Sequence, residues 1–298
     1  MKTKRYKMTD VIIIGGGIAG VSAAARLSAF LDVTLVEAEK YLSYHSSGRS
    51  AAAFIEGYGN DTIRALNELS SDYLHNVNGG VLSPRGLLLL AHSNDDKLFS
   101  NESDSLGLVK ISVDEASKLV PIINKERVNY ASYLESVYDL DTDLFFQNFL
   151  QEAKSCKCKV MTNSPVTKIE SNGHNWIITA GESILESKVI INAAGAWADE
   201  IAKLASVKQL GLIPYRRSMA KVPISVGFNV KKWPFFMGTN ETWYAKPDAG
   251  QLLISPSEEH ECSPHDAWAD DVVLAEGIAR YQDFVTEPVT KLTSSWAG

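Results

Sequence analysis

Cysteine is scarce: Cys156, Cys158 and Cys262 are the only three in 298 residues. Three thiols build no disulfide framework, and Cys156 and Cys158 stand too close along the chain for an unstrained bridge. They also lack the second pair that a structural zinc site needs. Reduced thiols and a cytoplasmic location are the expectation. Long apolar runs are missing as well. No stretch reaches the roughly 18 apolar residues of a membrane span. Proline and glycine nowhere gather into a linker, and there is no repeat or low-complexity tract. Positive charge is in deficit, at a net −7, which argues against nucleic acid as a partner. The basic residues Lys2, Lys4, Arg5 and Lys7 imitate the head of an export signal. The apolar run behind them, however, is interrupted by glycines, and Arg26 follows, so no cleaved signal is expected.

What is present begins at Asp10. Four β-branched residues, Val11-Ile12-Ile13-Ile14, have the composition of a central parallel strand, and Gly15-Gly16-Gly17-Ile18-Ala19-Gly20 follows at once. In such a Gly-x-Gly-x-x-Gly, Gly15 permits the tight turn, Gly17 admits a pyrophosphate to the backbone, and Gly20 lets the next helix pack on the strand. That helix is expected through Ala23–Ala25, Leu27 and Phe30. Its N-terminus would offer free N–H groups to phosphate. Alone the motif is weak, and a glycine-rich turn of another α/β protein is the alternative. The second strand, Val33-Thr34-Leu35-Val36, decides for a dinucleotide, because it ends in Glu37, an acid placed to take ribose hydroxyls. Beyond it, Ser46-Ser47-Gly48-Arg49-Ser50-Ala51 suits a backbone wrapping a phosphate or a flavin edge, with an ordinary serine-rich loop as the alternative.

These stretches resemble the FAD-dependent D-amino-acid oxidase and glycine/sarcosine oxidase family, and within it the D-arginine dehydrogenase type. Further matches follow in the family's order: Leu82-Ser83-Pro84-Arg85, Asp139-x-Asp141-Thr142-Asp143, Val189 through Trp197, Pro214 through Ser218, Tyr244-x-Lys246-Pro247-Asp248-Ala249-Gly250, and Trp296-Ala297-Gly298. The resemblance implies an α/β fold in two parts. A Rossmann-like FAD-binding domain, a parallel sheet with a β-meander insertion, is expected over 8–61 plus 144–211. A mixed-sheet α+β substrate domain is expected over 62–143 plus 212–298. FAD is the implied cofactor. The residues implied to hold it are Gly15, Gly17, Ile18, Ala19, Gly20, Glu37, Ser46, Ser47, Gly48, Arg49, Ser50, Ala51, Val166, Ala194, Gly195 and Trp197.

Several stretches are read from their pattern alone. Residues 62–77 form an amphipathic helix whose stripe of Ile63, Leu66, Leu69, Leu74 and Val77 reads as core. Leu87–Ala91 reads as a strand, and Val113–Val120 as a helix stopped by Pro121. Asp139, Asp141 and Asp143 imitate a calcium loop, but Leu144 and Leu150 occupy its glycine and glutamate positions. A helix start at Thr142 or Asp143 is the better reading. Short strands alternate from Lys159 to Thr179, and Val189–Asn192 reads as a further buried strand.

Oxidising an amino acid requires a cation for its carboxylate. Arg217, in a strand-like segment, is the expected clamp, because a guanidinium grips a carboxylate with two parallel hydrogen bonds; the resemblance implies Arg217 and not Arg216, and two solvated arginines on an edge strand are the alternative. Arg216 should point the other way. The resemblance adds Tyr244 and Tyr58, which match tyrosines that close over the substrate. No general base is evident, and His45 reads as structural or cofactor-adjacent. Two departures bear on the substrate. Ala53 stands where the arginine dehydrogenase type has a histidine, and Leu87 where it has the glutamate that receives a guanidinium. A buried cationic side chain would then lack a partner. Small or apolar D-amino acids, or N-methylglycine-like amines, are the expected substrates, with the electron acceptor open. The family's Trp-Ala-Gly motif leads into further strands, so the expectation is a C-terminally truncated enzyme of impaired activity. The alternatives are a degenerate, non-catalytic FAD- or ADP-binding protein and an NAD-dependent Rossmann dehydrogenase.

Overall fold

The computed structural model describes residues 7–298, so Lys2, Lys4 and Arg5 lie outside it. The chain divides into two compact units. The first comprises residues 1–50, 142–214 and 261–266, and the second residues 51–141, 215–260 and 267–298. Residues 51–61 thus fall in the second unit and 261–266 in the first, unlike the boundaries expected from sequence.

A six-stranded sheet forms the first unit, in the order Val166–Ser171, Trp176–Ala180, Ser183–Asn192, Lys7–Ile14, Val33–Val36, Lys159–Met161. Lys7–Ile14 is central and pairs in parallel on both sides, and Val33–Val36 pairs in parallel with Lys159–Met161. The other three strands form an antiparallel meander. The expected α/β fold, with its meander insertion, is therefore present. Ile12 and Ile13 are fully buried, as the β-branched run requires. Helix Ile18–Leu27 buries Gly20, Val21, Ala24 and Ala25, and ends three residues before Phe30, which is exposed. The segment Val189–Asn192 is less buried than its sequence suggests, with Val189 48% exposed. The reason is pairing: the antiparallel neighbour stops at Ser187, so beyond it the strand has Lys7–Ile14 on one side only.

An eight-stranded mixed sheet forms the second unit, in the order Ser294–Ala297, Ser218–Val222, Gln251–Ser255, Tyr244–Asp248, Phe235–Gly238, Leu87–Ala91, Tyr130–Leu134, Val109–Ile111. Only Phe235–Gly238 and Leu87–Ala91 run in parallel. Leu87–Ala91 is buried on both faces. Leu88 and Leu90 meet Phe236, Trp243 and Tyr281 on one side, while Leu87 and Leu89 meet Phe99, Phe235 and Met237 on the other. Each fully buried leucine contributes about 1.5–3 kcal/mol.

Helix Asp61–Asn76 reverses its sequence reading. Leu74 is buried, but Ile63, Leu66, Val77 and above all Leu69, 80% exposed, face outward. Its polar residues make the contacts instead. Asn67 donates to the carbonyls of Ile55, Glu56 and Tyr58 at 3.3–3.4 Å, Ser71 to Glu56, and Arg64 to Ser105. The helix therefore holds the 55–58 turn by hydrogen bonds and not by apolar burial.

Asp139 serves a buried charge network. It takes Arg85 through both Nε (2.7 Å) and Nη2, while Lys246 Nζ sits 2.9 Å from its other oxygen as an ion pair. Lys246 also donates to Ala51 O at 2.5 Å. Arg85 adds bonds to the carbonyls of Lys231 and Trp233. Among the described residues, no group of three or more side chains is placed to hold a metal.

Candidate cofactor and substrate sites

The first unit carries a cleft of about 670 Å³ at the C-terminal ends of its parallel strands. Its floor is backbone. Gly15 has φ +111°, a value that favours glycine, and a Cβ there would stand 2.3 Å from Ala193 O. A Cβ on Gly20 would stand 1.9 Å from Gly15 O, so only glycine lets the helix start so close to the strand. The helix begins at Ile18 with Gly17 as N-cap, which has no side chain to cap with, and no acid lies in the first turn. Anions are favoured at such an end.

Glu37 leans over this turn. Its Oε2 accepts from Gly16 N at 2.6 Å and its Oε1 from Glu39 N at 2.8 Å. Its backbone is pinned in turn, with Glu37 N donating to Met161 O and Ser164 N to Glu37 O. A carboxylate oxygen carries two lone pairs, so each still has capacity for a hydroxyl. Ser47 Oγ accepts from Ile18 N at 3.0 Å, which fixes the serine-rich loop to the helix start.

Of the residues expected to hold the cofactor, Gly15, Gly17, Ile18, Ala19, Glu37, Ser46, Ser47, Val166, Ala194, Gly195 and Trp197 line the cleft. Gly20, Gly48, Arg49, Ser50 and Ala51 do not. Gly48 is a packing glycine, since a Cβ would meet Ser43 O at 2.1 Å. Arg49 bonds Tyr44 O at 3.0 Å and Asp266 at 2.6 Å, and its guanidinium lies 5.0 Å from the Tyr44 ring centroid. It braces the loop from behind. Glu39 was not singled out by sequence. It lines the cleft and meets His45 Nε2 at 3.2 Å, while the His45 ring lies 4.6 Å from that of Trp197. Glu39 and His45 stand six residues apart, and no local pattern relates them to the indole of Trp197, which comes from a distant segment.

The substrate candidates gather in the second unit. Mutual backbone hydrogen bonds with Gly298, at 2.9 and 3.0 Å, hold Arg217. Its guanidinium bonds Glu259 at 2.8 Å and stands 3.8 Å from Glu241 Oε2. Glu241 Oε1 accepts from Tyr58 OH at 2.8 Å. Arg216 goes to other partners, Glu258 at 3.9 Å, Asp270 at 3.7 Å and His260 at 3.4 Å. Tyr244 stacks on Phe235, and its hydroxyl meets Met219 Sδ at 3.3 Å. Burial, then the Glu241 carboxylate, pushes the Tyr58 phenol up to about 12, and burial raises that of Tyr244. Both phenols are donors at neutral pH. Leu87 lies fully buried within the sheet. Two acids beside Arg217, Glu241 and Glu259, come from distant segments. Nothing in the order of residues relates these glutamates to Arg217 or Tyr58.

The family described as FAD dependent oxidoreductase (DAO) matches residues 10–298. The chain belongs to this family. Mouse "FAD-dependent oxidoreductase domain-containing protein 1" is 26% identical over 98% of this chain and 72% of the mouse protein. The FAD-bound L-alpha-glycerophosphate oxidase of Mycoplasma pneumoniae superposes with a TM-score of 0.83 at 20% identity, over 98% of this chain and 83% of the oxidase. L-proline dehydrogenase from P. horikoshii gives 0.80 at 19%, over 99% and 82%. As a DAO-family flavoprotein the chain uses FAD, and its first unit fits that cofactor. Gly15 and Gly20 leave no room for a Cβ, Gly17 adds none at the helix start, the helix end favours anions, and Glu37 keeps lone pairs for a ribose. Among the described residues no helix is long and apolar enough to cross a membrane.

Proposed function

We propose that the protein oxidises the CH–NH bond of a small amino acid, a D-amino acid or an N-methylglycine-like amine, to an imine. Bound FAD supplies the two-electron acceptor. The observation that carries this reading is the Arg217 guanidinium beside two phenol donors, Tyr58 and Tyr244, within the second unit. Arg217 holds the carboxylate, Tyr244 supplies a neutral donor whose raised pKa keeps it protonated, and Tyr58 gives its proton to Glu241 beside them. Glu37 and the Gly15–Gly20 turn hold the adenosine and pyrophosphate parts of FAD. The first unit is then the FAD-binding domain and the second the substrate domain.

A phosphorylated alcohol is the rival substrate class, since one structural relative is named as a glycerophosphate oxidase. Arg217 could hold a phosphate, but Glu241 at 3.8 Å and Glu259 at 2.8 Å put two like charges beside the dianion. The test is anaerobic mixing of FAD-loaded protein with D-alanine, sarcosine, L-proline and glycerol 3-phosphate. Faster loss of flavin absorbance with an amine is the expected result. Bleaching by glycerol 3-phosphate alone overturns the reading.

A further inference from the structure

We propose that Glu241 determines specificity by accepting an N–H from the substrate's α-amine while Arg217 holds the carboxylate. This rests on the Arg217 site proposed above. The two glutamates beside Arg217 differ in kind. Glu259 is 70% exposed, and its ion pair with Arg217 is of the solvent-screened sort that contributes little, so an incoming carboxylate can displace it. Glu241 is 32% exposed and is held in place. Tyr58 donates to its Oε1, and Glu102 Oε2 accepts from Asn240 N at 2.8 Å. Asn240 and Glu241 lie consecutively at φ +57° and +47°, and Arg280 Nε fastens the next turn residue through Thr242 O at 2.8 Å. Glu241 is therefore a fixed carboxylate.

Its Oε2 faces the guanidinium at 3.8 Å, too far for a hydrogen bond. An α-amino acid carries its carboxylate and amine side by side on one carbon. Laid against this pair, it puts anion to cation and amine to carboxylate, with its dipole antiparallel to that of Arg217 and Glu241. A ligand with the carboxylate and no amine would bring a second anion against Glu241.

Two isosteric ligands that cannot be oxidised at Cα separate the alternatives: 2-aminoisobutyrate, and pivalate, which has a methyl in place of the amine. Calorimetry on the FAD-loaded protein should find 2-aminoisobutyrate tighter by on the order of tenfold, the usual worth of one charge-assisted hydrogen bond. Glu241→Gln should erase most of that ratio, with pivalate binding unchanged or stronger. Equal affinity of the two ligands for the unaltered protein overturns the proposal without any variant. So does a Glu241→Gln protein that keeps the ratio. Arg217→Met tests the underlying site separately and should abolish binding of both. Pivalate binding that survives Arg217→Met, or no binding of either ligand to the unaltered protein, overturns the Arg217 site itself.

Discussion

The two units build their sites from different materials. In the first unit the cleft is backbone, shaped by glycines that admit no Cβ and by one carboxylate bonded to main-chain N–H groups only 2 and 21 residues away. In the second unit the site is side chain against side chain, with Tyr58 and Glu241 separated by 183 residues and Arg217 and Glu259 by 42. A phosphate-binding turn asks for shape and N–H dipoles, which a short peptide can encode. Sorting one zwitterion from other anions asks for opposite charges at fixed spacing, which a short peptide cannot hold. Substitutions in the first unit should therefore act through main-chain geometry and cofactor retention. Those in the second should act through charge balance.

The largest effect that tests this contrast is expected at Asp139. It faces both Arg85 and Lys246, all three at most about one-sixth exposed. Asp139→Asn takes this anion from two buried cations and should cost about 3–5 kcal/mol in chemical denaturation. A loss below roughly 1 kcal/mol would mean that water already screens the network, and charge balance would not govern the second unit.

Next in size is Glu37→Ala. It removes the proposed ribose acceptor and also the bonds to Gly16 N and Glu39 N. FAD affinity should fall by about 1.5–3 kcal/mol, the value of a hydrogen bond to a charged group. Because the carboxylate also ties the glycine turn, the melting temperature of the cofactor-free protein should fall as well. Lost affinity with an unmoved melting temperature would mean that Glu37 acts on the ligand alone and not through the backbone.

The smallest effect sharpens the comparison from the charge side. Burial, then the Glu241 carboxylate, holds Glu102 above the usual carboxylate range, although the bond from Asn240 N opposes this. A raised carboxyl contributes stability that is complete below its unfolded value and is lost as pH rises through its folded value. Glu102→Gln keeps an acceptor for Asn240 N and removes that loss. The variant should be more stable at neutral pH by less than about 1 kcal/mol after solvent screening, with a flatter pH profile above pH 4. An unchanged profile would show that neither burial nor the Glu241 carboxylate perturbs Glu102.

Residues close in sequence determined a great deal by themselves. Val11–Ile14, the Gly15–Gly20 turn, Val33–Val36 and Glu37 announce a parallel strand, a helix start and an acid at the glycine turn, because each feature depends on backbone conformation and spacing within one βαβ unit. The double-faced burial of Leu87–Ala91 follows from its unbroken apolar run. Tertiary structure decided the rest. Helix Asp61–Asn76 has an amphipathic pattern, yet hydrogen bonds from Asn67, Ser71 and Arg64 turn its polar side inward, a choice set by the carbonyls it meets. Val189 carries a strand's composition but lies past the end of its neighbour, so its burial depends on pairing and not on residue type. Glu241 and Glu259 carry no pattern that sets them apart in a chain of net charge −7, and only folding brings them to Arg217. Coulomb energy depends on distance in space, and sequence separation does not report that distance.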